Sequence, residues 1–267
     1  MDFCQSKLLL ARSAALLALA FALVALSAAS GWAADPDALW KIVHGRCVPN
    51  ERESGQPAPC ALVDLRGGAD RGFAVLKDLV GVAQFLLIPT ARLGGIESPE
   101  LLTPGAPNYW DAAWRARRYV DARLGHELAR DAVGLAINSA AGRTQAQLHI
   151  HVDCLRPEVR IFLRAHEGEI GPGWSPPRFR LDGHPYRAMR IAGDALGDAD
   201  PFKLLAEGVP GARASMGSQT LVMTGASFAD GGQGFYLLAD RVDLLAGDRA
   251  TGEELLDHDC ALAKAAP

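Results

Sequence analysis

Gln147-Leu148-His149-Ile150-His151-Val152-Asp153 alternates polar and apolar residues without a break. Successive side chains of a β-strand point to opposite faces, so this pattern predicts a strand with Gln147, His149, His151 and Asp153 on one face. Leu148, Ile150 and Val152 then bury the other. Two imidazoles at i and i+2 stand ~7 Å apart along a rigid strand, close enough to act as a nucleophile and its electrostatic partner. Two other readings compete. An H-x-H-x-D run also offers a metal three ligands, although Cys154 follows where the metallohydrolase pattern has a further histidine. A half-exposed strand can also carry histidines at its polar positions with no chemistry at all.

Working outward, Val133–Ile137 and Phe85–Pro89 are short apolar runs that read as neighbouring strands, the latter stopped by proline. Ala61–Leu65 and Phe73–Leu76, on either side of a Gly67-Gly68 turn, read as a meander. Tyr109 to Leu124 predicts a long amphipathic helix, with Trp110 and Trp114 on one side and Arg115, Arg117 and Arg118 as a solvated face. Asp37 to Val43 predicts a short helix capped by Asp37, followed by a loop at Cys47. Gly and Pro concentrate between Glu167 and Pro185, the expected connector to a C-terminal portion. There, Leu221–Thr224 and Phe235–Val242 read as strands and Glu253–Lys264 as a terminal helix.

Among 267 residues, 49% are hydrophobic and 22% charged, enough for a sizeable core and unlike a disordered, collagenous or coiled-coil chain. The net charge is −4, which disfavours nucleic acid as a partner but leaves room for a local cationic pocket. Lys7 and Arg12 precede a run from Ser13 to Ser30 made almost wholly of Ala, Leu, Val and Phe. Such a segment predicts an export signal or a single membrane anchor, with the body outside the cytoplasm in either case. Four cysteines remain after it, Cys47, Cys60, Cys154 and Cys260, an even number in a chain bound for an oxidising compartment. Disulfides Cys47–Cys60 and Cys154–Cys260 are therefore expected; the alternative, zinc, lacks any C-x-x-C pair.

From about Asp78 to Leu155 the chain resembles the histidine-triad (HIT) superfamily. Phe85-Leu-Leu-Ile-Pro-Thr-Ala-Arg92 is similar to its F-L-V-I-P-K-K-H segment, Asp78 stands before that strand, and Asn138 and Gln145 match the Asn and Gln upstream of the first motif histidine. On this resemblance His149 takes the first motif position, His151 the central nucleophilic one, and Asp153 the place of the third histidine. Arg92 replaces a histidine. Leu39-Trp-Lys-Ile-Val-His44, Cys47-Val-Pro, Pro-Ala-Pro-Cys60 and Gln147 through Pro157 further resemble the bacterial CDP-diacylglycerol pyrophosphatase family.

The resemblance implies an α+β fold with a HIT-like antiparallel sheet and helices, plus a C-terminal α+β portion. The expected division is 1–34 as leader or anchor, 35–165 as the catalytic portion, and 166–267 packing on it. It implies hydrolysis of CDP-diacylglycerol to CMP and phosphatidate through a nucleotidyl-histidine on His151, supported by His149 and needing no cofactor. Asn138, Gln145, Asp78, Arg92, Gln147 and Asp153 would contact substrate. The partners would be the lipid and the membrane surface, in the inner membrane by a single anchor or in the periplasm after cleavage. A metal-dependent hydrolase using His149, His151 and Asp153, and a non-catalytic nucleotide-lipid binding module, are the alternatives.

Overall fold

The computed structural model describes residues 35–261; the expected leader, 1–34, lies outside the described residues, as do 262–267. Among the described residues no helix is long and apolar enough to cross a membrane. The described residues from Pro36 onward belong to one compact unit.

Its frame is a ten-stranded sheet with every strand pair antiparallel, a mixed α/β architecture with few helices. The strands are β1 (Leu62–Asp64), β2 (Phe73–Lys77), β3 (Phe85–Pro89), β4 (Val133–Ile137), β5 (Ile150–Leu155), β6 (Phe179–Leu181), β7 (His184–Ala192), β8 (Gln219–Ser227), β9 (Gln233–Arg241) and β10 (Leu256–Asp257). They run in the order β1-β2-β3-β5-β4-β8-β9-β7-β6, with β10 extending the β3 edge of β5. Pairing of β4 with β8 makes residues on both sides of the expected boundary at 166 members of one sheet.

Each face follows from period-two burial. On one face, Leu87, Leu135, Ile150, Val152, Met223, Phe235 and Leu237 meet helix α3 (Tyr109–Leu124) through Trp110 and Trp114. Asn108 starts that helix by accepting the Asp111 N–H, and Gly125 ends it with a left-handed φ of 83°. Trp114 lies so close over β8 that a Cβ at Gly225 would come 2.7 Å from its ring, so only glycine fits there.

The opposite face carries two separate apolar clusters. Leu39, Val43, Cys47 and Val48, from helices α1 (Ala38–Ile42) and α2 (Val48–Ser54) and the π-turn between them, cover Ala74, Leu76, Leu86 and Ile88 of β2 and β3. Val159 and Leu163 of α4 (Pro157–Ala165) cover Ala136, Leu155, Val222 and Leu238 farther along the sheet. His151 is paired with Leu86 on one side and Ala136 on the other, so it stands at the seam between these clusters.

Several local expectations need correction. The Cys47 segment is helical rather than a loop, and Asp37 makes no side-chain cap; its carboxylate pairs with Arg92 instead. The motif strand begins at Ile150 and does not reach back to Gln147, because the Leu148 N–H is taken by the Leu93 carbonyl. The Gly/Pro-rich connector contains strand β6 and the start of β7. No terminal helix begins at Glu253: residues 252–255 make a 3-10 turn and Leu256–Asp257 pair with β5. That segment is pinned by the Cys154–Cys260 disulfide, and Cys47–Cys60 joins the first helical segment to the loop before β1, both as expected.

Candidate active site

His149 and His151 are 8% and 5% exposed, and their rings meet edge to face with centroids 4.9 Å apart. The pair is closer than strand geometry alone predicts, because His149 lies just before β5 begins and turns toward its neighbour. His149 Nδ1 lies 2.7 Å from the Gln147 carbonyl, a bond in which only the ring can donate, so Nε2 is left with its lone pair. His151 makes no hydrogen bond at either ring nitrogen within the described residues, and its Nδ1 faces Glu253 Oε1 at 3.3 Å. Burial depresses both imidazoles to about 4, and each also lies beside another histidine. Both rings are therefore neutral at pH 7, the state in which an imidazole can attack an electrophile.

Around the pair lies a connected polar network. Asn138 fixes Glu253 from two sides, donating Nδ2 to Oε2 at 3.1 Å and accepting the Glu253 N–H at 3.2 Å. Gln84, fully buried, donates to Asp78 Oδ2 at 2.6 Å and reaches Glu253 Oε1 at 3.4 Å. Asp153, also fully buried, holds His258 Nδ1 at 2.9 Å, while His258 Nε2 comes within 3.5 Å of Glu253 Oε1. The Asp153 hydrogen bond raises the His258 pKa, outweighing partial burial. Burial pushes the Asp153 carboxyl up at the same time, opposed by its hydrogen bond to His258.

Of the residues read from sequence, the fold thus brings together His149, His151, Asp153, Asn138 and Asp78. Gln147 is spent on structure, donating to the Pro89 and Ala91 carbonyls at 3.1 and 2.8 Å. Gln145 accepts the Leu39 N–H at 3.1 Å and so ties α1 to the motif segment. Arg92 pairs with Asp37 and lies over the Trp40 ring, which stacks in turn on His44. Glu253, His258 and Gln84 were missed. One signal for the first two was present: the expected Cys154–Cys260 bond already places the chain around Cys260 against Asp153. A surface cavity of about 500 Å³ lined by His184, Asp240 and Asp248 shares none of these residues.

Neutral imidazoles held dry beside a carboxylate-imidazole pair, on an antiparallel sheet, can supply a nucleophile and groups to stabilise charge beside it. A family model described as CDP-diacylglycerol pyrophosphatase matches residues 34–264. Over 224 residues the chain is 45% identical to a CDP-diacylglycerol pyrophosphatase from Yersinia pestis, covering 84% of each protein. The chain belongs to the CDP-diacylglycerol pyrophosphatase family.

Proposed function

We propose that this protein hydrolyses the pyrophosphate of CDP-diacylglycerol to CMP and phosphatidate, through a covalent cytidylyl-histidine at His151 on a HIT-like sheet. The observation that carries the reading is the buried, neutral His151 whose Nδ1 faces the Glu253 carboxylate. An Nδ1–H directed at Glu253 leaves the Nε2 lone pair for attack on the cytidylyl phosphorus. The N–P bond forms as the bond to the bridging oxygen breaks, and phosphatidate leaves with that electron pair as a phosphate monoester. Positive charge developing on the ring is stabilised by Glu253, which Asn138 and Gln84 hold in place.

Water then adds to the phosphoramidate and CMP departs, returning the electron pair to Nε2. His258, whose protonated form the Asp153 carboxylate favours, supplies positive charge beside the phosphoryl oxygens. His149 packs against the nucleophile and keeps it dry. Asp78 and Asp153 border the substrate, while Gln145, Gln147 and Arg92 shape the wall behind it. Residues 35–165 contribute the nucleophile and 166–267 its carboxylate. The body would work at the inner-membrane surface or in the periplasm, delivered there by residues 1–34.

Asp153 is already bonded to His258, which favours this covalent route over three-ligand metal binding by His149, His151 and Asp153. The deciding experiment follows CMP release from CDP-diacylglycerol with acid-quench trapping of nucleotide-labelled protein. Label on a peptide containing His151 and overall retention at a chiral phosphorus are expected; inversion, or turnover with no labelled peptide, defeats the mechanism.

A further inference from the structure

The chain between Asp78 and Gln84 carries an apolar tip at the mouth of the site. Leu79 is 102% exposed, Val80 53% and Val82 44%. Single exposed leucines are ordinary, but three apolar side chains within four residues, projecting from one turn, form a patch. The turn cannot fold inward to hide them. Gly81 has a left-handed φ of 73°, and a Cβ there would lie 3.1 Å from Gln84 and 3.4 Å from the Asp153 carboxylate. Asp78 at the start of the turn and Gln84 at its end are both tied into the catalytic network.

Much of the backbone of this tip is satisfied from within. Lys77 Nζ donates to the Asp78 and Gly81 carbonyls at 2.7 and 2.9 Å, with a longer contact of 3.5 Å to Val80. Arg123 Nε donates to the Val82 carbonyl at 3.3 Å. The Val82 N–H reaches the His258 carbonyl at 2.9 Å, and the Val80 N–H the Asp78 carboxylate at 3.3 Å. A turn in water needs no such provision, because water bonds its carbonyls. A turn entering an apolar medium does, since each unpaired polar group there is costly. The two side chains that bind its carbonyls are cations, and they sit at the base of the tip where anionic headgroups would lie.

We propose that Leu79–Val82, with Lys77 and Arg123 beneath it, is a wedge that enters an anionic lipid bilayer and seats the catalytic mouth on the membrane. The wedge rests on the lipid-substrate reading above and goes beyond it by naming the surface through which the lipid is reached. It places the scissile pyrophosphate at headgroup level beside His151, without lifting the acyl chains into water.

Two measurements on the full chain test it. The first compares the parent with Leu79→Ser/Val80→Ser/Val82→Ser on two substrates: CDP-diacylglycerol in phosphatidylethanolamine-phosphatidylglycerol vesicles, and a short-chain CDP-diacylglycerol kept monomeric in solution. Loss of three buried apolar contacts should raise the apparent KM on vesicles by roughly tenfold or more, with kcat/KM on the monomeric substrate within about twofold of the parent. Unchanged vesicle KM, or equal losses on both substrates, overturns the wedge. Leu244→Ser/Leu245→Ser serves as the control, altering another pair of exposed leucines; an equal loss there also overturns it. The second measurement needs no turnover. Leu79→Trp emission should be quenched beyond the parent's by substrate-free vesicles with brominated acyl chains, and no added quenching rejects the wedge. A parent inactive on both substrates defeats the proposed function instead, and quenching then decides the wedge by itself.

Discussion

The two walls of the site are built differently. The β5 wall is dry, regular and neutral: His149 and His151 are buried in the sheet, and desolvation holds both near 4. The wall formed by residues 253–260 is irregular, partly open and charged: Glu253 is a carboxylate with water access, and His258 has a raised pKa. On the proposed mechanism the nucleophile needs a free lone pair, and it would stand where protonation is expensive. Charge stabilisation requires ions, so these are placed where solvent helps hold them. The two walls thus pull the pKa values of neighbouring histidines in opposite directions.

Breaking the first wall should have the largest effect. His151→Ala removes the attacking atom and should lower kcat by on the order of 10⁴-fold or more, with little change in lipid binding, as read from single-turnover CMP release. On the second wall, Glu253→Gln keeps the shape and removes the charge, so a loss of roughly 10²-fold in kcat is expected, with KM nearly unchanged. Equal losses in the two variants would mean that the walls do not divide the work as described. Severing the covalent tie between the walls by Cys154→Ser/Cys260→Ser should destabilise the fold by ~2–5 kcal/mol, measured by urea unfolding, and lower activity as Asp153 and His258 lose registry.

Stability should depend on pH with opposite signs for the two walls. The folded pKa of His151 lies below its unfolded value, so the unfolded chain binds more protons, and stability falls as pH drops from 6.5 toward about 4. The folded pKa of His258 lies above 6.5, so its contribution is full below that value and is lost as pH rises through the folded pKa. His151→Asn should flatten the acid limb of a Tm profile and His258→Gln the other. The smallest effect on catalysis belongs outside both walls. Burial, and next the Asp248 carboxyl beside it, push Asp240 up to about 7, so stability falls as pH rises from 3.8 through that value. Asp240→Asn should remove this slope and leave CMP release intact.

The same contrast explains what the sequence disclosed. Alternation from Gln147 to Asp153 could be read because a strand imposes period two on its residues, and Tyr109–Leu124 because a helix imposes its own period. Residues 253–260 obey neither, since a 3-10 turn, two strand residues and a turn follow one another there. A helix was therefore expected where none exists, and Glu253 and His258 went unnoticed. Gln147 shows the converse failure. It has the right period and composition, but the strand has not yet begun there, and its amide is drawn to the end of β3.

The Cys154–Cys260 bond closes a loop with a sequence separation of 106, and the residues it joins lie beside Asp153 and His258. During synthesis the nucleophile would emerge long before its carboxylate partner, and strands β1 to β9 could all be in place while the site still had one side. On the proposed mechanism, catalytic competence would be a late event in the life of each molecule, tied to arrival and oxidation of one short segment. A chain stopped after Thr251 should keep its sheet by circular dichroism yet release no CMP, and measurable turnover from it would show that the second wall is dispensable.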